Sequence, residues 1–386
     1  MMTPSSQPKK MSPVHQAPPP PPPPPTNTDE IMPIISSSPS SQKPTKRYMV
    51  LLVLNYMLLF VGSLASSLLA KFYFIHNGSS RWVSTWVQCA GFPILIIPIV
   101  LPYMFELSPR KPFKKFTKRL ILLSMIIGVL FFLNNFLISW GTSYLPVSTS
   151  SLLLSSQLVF TLILSCLIVK QKITFNNLNC VILLTISSVL LALISSHDHP
   201  EGVTKRMYFI GYFCTIGAGL LFSLYLPLME KIYREVYCYE MVVEMQFVME
   251  FTTTVIATIA MAAAGGFKEM KRESMVEYDL GHNMYWLTVM GNIISWQVCF
   301  MGTAGMVFLT TSLTGGVCMT ALLALNVIGG VLVYGDNFSG PKAVSTVICA
   351  WGFCSYVYGL YVNREKGGTD EKNRAKEMTQ ILIDEH

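Results

Sequence analysis

The chain has 386 residues, 52% of them hydrophobic and only 13% charged, with a formal net charge of +7. A soluble protein carries about a quarter charged residues, and here the charges also cluster, leaving long stretches nearly free of them. That excludes an ordinary soluble domain and points to a chain that crosses a bilayer repeatedly, each crossing needing about 20 mostly apolar residues.

Residues 1–47 stand apart. They hold eight consecutive prolines, Pro18 to Pro25, many Ser and Thr, and little that could build a core. The segment reads as a disordered or polyproline tail, and its proline run would suit a polyproline-binding partner. It lacks the charged start and apolar run of a cleaved signal. Ten apolar stretches follow, each predicted as a transmembrane helix: 48–71, 82–105, 119–139, 147–169, 177–195, 207–229, 240–264, 284–307, 310–334 and 342–362. Residues 363–386 form a second polar tail. The predicted fold class is an all-α integral membrane protein with ten transmembrane helices.

Charge placement sets the orientation. With the N-terminus in the cytoplasm, twenty Lys and Arg fall in inside segments and eight in outside ones, as the positive-inside rule requires. Both termini are then cytoplasmic. The sequons at Asn77 and Asn337 fall in outside loops under the same topology. The basic stretch 110–119 reads as a topology determinant in contact with lipid headgroups, not as a nucleic-acid site.

Residues 147–175 and 310–338 each open on a Ser/Thr cluster, run through one span and close on Phe after a polar turn. They occupy the fourth span of five in each half. Five spans per half force the second copy to insert upside down, which predicts a 5+5 inverted repeat: a first repeat over 48–196 and a second over 207–362. Secondary transporters commonly use this architecture and bind substrate near the midplane between the halves.

The seventh span carries Glu244 and Glu250 inside an apolar run, where a carboxylate is costly and is therefore expected to be functional. Gln246, Glu250, Thr253, Thr254 and Ala257 share one helical face. Removal from water disfavours the ionised carboxylate, which suits a group that takes up and releases protons, and the spans offer almost no deep Lys or Arg as a partner. Glu250 is the first proton-coupling candidate and Glu244, nearer the cytoplasm, the second. The second span sets Gln88 on a face with Thr85 and Arg81, and Pro93 and Pro98 are expected to bend it. Asn134, Asn135, Gln157, Gln246, Asn292, Trp296, Gln297 and Asn326 complete the candidate substrate-binding set. Amides both donate and accept, and an indole face stacks on a flat ring, so the set is expected to hold a small heterocycle.

These stretches resemble the plant purine permeases, within the drug/metabolite transporter superfamily. The resemblance lies in "KFYFIHNGSSRWVSTWVQCAGFPIL" (71–95), "NNFLISWGTSYLPVSTSSLLLSSQLVFTLILSCLIVKQKIT" (134–174), "VVEMQFVM" (242–249) and "WGFCSYVYGLY" (351–361), in order over about 48–362. It implies ten helices and proton-coupled transport of purine bases and related heterocycles such as adenine and cytokinins across a plant membrane, the plasma membrane ahead of the vacuolar or endoplasmic reticulum membrane. Lys71 stands where the family usually has Arg, Asn77 where a Gly-Gly pair is common, and "NVIGGVLVYGDNF" (326–338) is not the commonest version of that stretch. In the family pattern Glu244 belongs to a recurring Glu-x-Gln signature and Glu250 is less typical.

Other readings remain. A related carrier would take an alkaloid or a vitamin. A nucleotide-sugar exchanger would need buried Lys or Arg for phosphate, which the spans lack. An enzyme would need a base beside a nucleophile or a metal, yet the six His fall in tails and loops. "HDHPE" (197–201) reads as a solvated loop, not a metal site, and the nine cysteines show no metal spacing and read as small packing residues. No cofactor is expected. The expected partners are the substrate, protons and the lipid bilayer.

Overall fold

The computed structural model describes residues 46–105, 110–114, 116–144, 147–171, 174–194, 205–335, 340, 343–359 and 362. The proline-rich tail, the 197–201 segment, the Asn337 sequon and the C-terminal tail lie outside the described residues. Those described form α-helices, short 3-10 or π turns and connections, with no strand among them.

The helices are α1 (Lys46–Ile75), α2 (Arg81–Val87), α3 (Ile96–Met104), α4 (Lys118–Tyr144), α5 (Val147–Leu164), α6 (Phe175–Ile194), α7 (Lys205–Tyr233), α8 (Tyr239–Ala263), α9 (Gly266–Arg272), α10 (His282–Leu309), α11 (Ser312–Tyr334) and α12 (Ala343–Gly359). Six spans, Tyr48–Ile75, Arg81–Met104, Lys118–Gly141, Lys205–Tyr233, Tyr239–Ala263 and His282–Leu309, are long and apolar enough to cross a membrane. Shorter apolar helical stretches lie at Gln157–Val169, Asn177–Ser187, Ser312–Leu322 and Ala343–Gly359. The chain is therefore an integral, multi-pass, all-helical membrane protein.

Lipid explains the outer faces. On α1 the exposed side chains include Val50, Val53, Leu54, Met57 and Val61, which fall on one helical face. At the centre stands α10, with 72% of its apolar window buried against 22% for α1.

Helices in lipid gain little from hydrophobic exclusion, so close packing at small residues holds them together. The main pairings are α1 with α10, α4 with α7 and α8, and α5 with α7 and α6. The α1–α10 crossing is backbone on backbone. A Cβ on Gly62 would fall on the Cys299 main chain, and one on Gly302 would fall on the Leu59 main chain. On the α4–α7 pair, Gly141 sits as tightly against Thr215.

The second apolar stretch is not one helix. α2 ends at Val87, residues 88–91 turn, a 3-10 turn covers Phe92–Leu95, and only then does α3 begin. The break falls at Pro93. Pro98, expected to bend the span as well, is accommodated near the start of α3, where a missing N–H does little harm.

The connection between α8 and α10 is itself folded. Residues 265–283, the outside connection between the seventh and eighth predicted spans, include α9 and a π turn, Glu273–Glu277. They pack with Met270 and Glu273 buried.

Candidate functional site

The stripe expected on α8 is the inner face of the bundle. Gln246, Glu250, Thr253, Thr254 and Ala257 are all buried, and Glu250 is 0% exposed. Gln246 donates from Nε2 to Glu250 Oε1 at 2.6 Å. Glu250 Oε2 and Gln246 Oε1 have no hydrogen-bond partner among the described residues. Gln297 of α10 lies within interaction range of the same carboxylate, and its Nε2 is likewise unmatched among those residues. Tyr225 of α7 is buried within electrostatic reach. No ion pair involving Glu250 occurs among the described residues.

The broken span closes the other side of this group. Thr254 donates to the main-chain carbonyl of Cys89 at 2.6 Å, fastening the break to α8 one turn from Glu250. Gly91 lets the break approach α10: a Cβ there would lie 2.8 Å from both Cβ and Oε1 of Gln297. Three elements therefore meet at Glu250: the interrupted span, α8 and α10. Discontinuous helices near the midplane are a recurring way for carriers to expose polar backbone to substrate.

Gln88, at the end of α2, donates to the Ser84 carbonyl at 3.0 Å and to Ser139 Oγ at 3.3 Å. Ser139 lies one turn beyond Asn135 on α4. Asn134 and Asn135 are both buried. Asn134 Nδ2 donates to Asn135 Oδ1 at 3.3 Å, which leaves Asn134 Oδ1 and Asn135 Nδ2 unmatched among the described residues. Asn292 lines a cavity of about 20 Å³ with Tyr73, Ser84 and Thr288, and its Oδ1 is unmatched in the same sense. Trp296 stacks on Phe300 with ring centroids 5.2 Å apart and planes at 27°. It packs against both the cluster around Phe131 and Tyr225 and the one around Tyr285 and Val289. Gln157 and Asn326 stand apart: among the described residues no hydrogen bond joins either to the Glu250 group.

Glu244 has a different environment. It is 2% exposed. Arg110 Nη2 lies 2.8 Å from its Oε2, and the Phe113 N–H donates to its Oε1 at 3.0 Å. The expected lack of a basic partner therefore does not hold for Glu244. The partner comes from the basic connection before α4, which folds back onto α8. Arg110 also donates to Cys238 Sγ at 3.1 Å and lies 3.9 Å from Glu240.

One buried carboxylate escaped the sequence reading. Glu273 is 1% exposed and accepts five hydrogen bonds. The Tyr73 and Tyr285 hydroxyls donate to Oε2 at 2.6 and 3.1 Å. The Ser79 N–H, Ser79 Oγ and Ser80 N–H donate to Oε1 at 2.9, 3.2 and 2.7 Å. The available signal was Glu269 and Glu273, four apart with Met270 between them, a helical spacing inside the connection between two predicted spans.

Chemically, the Glu250 group offers several buried donors and acceptors left unmatched among the described residues, beside a partly buried indole. Burying polar groups without partners is costly, so such a set is suited to matching the edge of a polar flat molecule.

A family described as purine nucleobase transmembrane transport matches residues 50–366. The chain is 62% identical over 305 residues to Probable purine permease 4 of Arabidopsis thaliana, covering 78% of this chain and 79% of that protein. It is 31% identical over 338 residues to Purine permease 3 of Arabidopsis thaliana, covering 86% and 95%. A solved crystal structure at 13% identity covers 78% of this chain and 95% of its own with a TM-score of 0.57, a likeness of fold alone.

Proposed function

The chain belongs to the purine permease family and is a purine transporter, and from that premise we propose that it is a proton-coupled carrier of purine bases and related heterocycles in which Glu250 carries the proton. One observation carries this reading. Glu250 is wholly enclosed, its Oε1 is held by an amide and its Oε2 has no hydrogen-bond partner among the described residues. An ionised carboxylate without a cation in such a place is expensive, so the resting group is the neutral acid. The acid presents a donor at Oε2 and the carboxylate presents an acceptor. Loss of the proton therefore changes the hydrogen-bonding pattern that a bound heterocycle meets.

Around it, Gln246, Gln297, Asn134, Asn135, Gln88 and Asn292 supply amide donors and acceptors, and Trp296 supplies a stacking face. Gln157 and Asn326 are kept as outlying contacts. Ten spans in two inverted repeats, 48–196 and 207–362, organise the site, with tails 1–47 and 363–386 in the cytoplasm and the plasma membrane as the destination. The pairings support the repeat. α1 and α10, the first and eighth spans, pair closely, and so do α7 and α4, the sixth and third; inversion exchanges these two pairs. Adenine and cytokinins are the leading substrates. An alkaloid or a vitamin is the competing cargo.

The test is uptake of radiolabelled adenine into cells lacking their own purine uptake, at acidic and neutral external pH, for the wild type, Glu250→Gln and Glu244→Gln. Acid-stimulated uptake that disappears in Glu250→Gln is the expected result. Stimulation that survives there and vanishes in Glu244→Gln would move the proton to the other carboxylate. Uptake indifferent to pH in the wild type would remove proton coupling.

A further inference from the structure

Two buried carboxylates, Glu273 and Glu244, have no part in binding or proton transfer as derived above, and their surroundings match in a specific way. Glu273 follows α9, in the connection between the seventh and eighth spans. It grips the beginning of the second span: the N–H groups of Ser79 and Ser80, just before α2. Glu269 adds a contact to Ser80 Oγ at 2.9 Å. On the other side, Arg110 and Phe113 lie in the connection between the second and third spans. They grip the beginning of the seventh span: Glu244, Glu240 and Cys238 at the start of α8. Each half thus holds the entrance of the other half's second helix. The polarity is reversed, with an acidic connection on backbone donors at one end and a basic connection on carboxylates at the other.

Each contact set adjoins a small cavity. Tyr73, which bonds Glu273, also lines the cavity with Ser84, Thr288 and Asn292, on the side that charge placement makes outer. Beside Arg110 lies a smaller one, of about 10 Å³, lined by Ile99, Pro102, Tyr103, Glu240 and Glu244. Both sets are formed together, and Glu250 between them is 0% exposed.

We propose that the Glu273 hub and the Arg110–Glu244 pair are the outer and inner latches of the carrier, released one at a time to open the site to one side. This rests on the transporter and inverted-repeat reading. It follows from the exchange of roles above: a repeat that inverts must supply each gate twice, once per face, from corresponding connections. Glu244 is then a positioning residue that holds the inner end closed. Glu273, held by five donors, is its outer counterpart.

The experiment measures accessibility of a single introduced thiol to a membrane-impermeant reagent, with labelling of the parent chain subtracted. Ser84→Cys reports the outer cavity in intact cells, and Ile99→Cys reports the inner one in inside-out vesicles. With Glu273→Gln, labelling of Ser84→Cys is expected to rise about threefold or more while labelling of Ile99→Cys falls. With Glu244→Gln the two changes are expected to reverse. A merely structural role would loosen both sides together. Labelling that rises at both positions, or changes at neither, in variants that reach the membrane overturns the proposal. Should Glu273→Gln fail to reach it, Tyr285→Phe removes one donor and keeps the carboxylate; the same reciprocal shift, smaller, is expected, and its absence is equally fatal. Labelling needs neither adenine nor a proton gradient. Unchanged labelling with intact uptake therefore condemns the latches alone, and shifted labelling without uptake condemns the substrate reading alone.

Discussion

Thr254 Oγ1 donates to the carbonyl oxygen of Cys89 at 2.6 Å. In an unbroken helix that carbonyl would accept from the N–H four residues on. The residue there is Pro93, which has none. A side chain of the seventh span thus replaces the donor that the second span lacks, and the interruption is both caused and repaired by named atoms. The same hydroxyl lies 2.7 Å from the Glu250 carbonyl, so its single proton is shared between the two carbonyls, tying the interruption to the carboxylate's own turn.

Thr254→Val should leave the Cys89 carbonyl buried and unmatched, at a cost of about 1–3 kcal/mol. A lower melting temperature of the purified protein and reduced adenine uptake are the expected readouts, with Thr254→Ser close to wild type. Adding Pro93→Ala supplies a backbone N–H and should recover part of the stability lost. No recovery would mean that the carbonyl is matched in some other way.

Arg110→Ala should destabilise more than Glu244→Gln does. The first leaves a carboxylate buried without its cation, about 3–5 kcal/mol in comparable pairs, whereas the second leaves Arg110 with Glu240 and the Cys238 thiol. The double variant should lie closer to Glu244→Gln than to Arg110→Ala. Thermal melts of all four proteins give the coupling directly; simple additivity would show that the pair is not formed in the membrane.

Gly302→Ala places a methyl on the Leu59 main chain, which cannot yield as a side chain can. We expect little protein at the membrane and no monodisperse peak in detergent. Gly217→Ala, whose added methyl meets only the tip of Leu137 at 3.2 Å, should behave almost as wild type. Equal behaviour of the two would contradict the close crossing of α1 and α10.

Trp296 should report binding. Its ring lies on Phe300 at the meeting of two clusters, so a stacked heterocycle should quench its emission. Adenine titration of the purified carrier is expected to give a saturable quench that disappears in Trp296→Phe. A quench that persists there would assign it to another of the six tryptophans.

Much of this was legible from residue order. The α8 stripe followed from a 3.6-residue period, and burial of Glu250 from the position of that stripe. A bend near Pro93 was expected and the span is in fact interrupted there, although Pro98, equally suspect by identity, sits where a helix tolerates it. The contacts of Glu244 were not legible. Its partner lies 134 positions earlier, in a connection whose cations look like ordinary topology signals. Glu273 was missed for the opposite reason. A polar segment of seven charges and few long apolar runs reads as solvated loop, and only tertiary packing shows that one of its carboxylates is enclosed by two tyrosines and a serine turn. Sequence periodicity reports which face of a helix is inward; it carries nothing about which distant loop will cover its end.

The glycine contact between α1 and α10 also bears on how the protein is made. The surface that fits Gly62 belongs to Cys299, and the surface that fits Gly302 belongs to Leu59, so α1 finds its mate only after most of the chain has been synthesised. Until then it must wait in the bilayer with a bare groove along one side, filled by lipid or shielded by a helper. Release of lipid from that groove when α10 arrives would make the docking of these two helices a late, committing step in biogenesis. A truncated chain that stops before α10 would then be left unfinished at its first helix as well as its last.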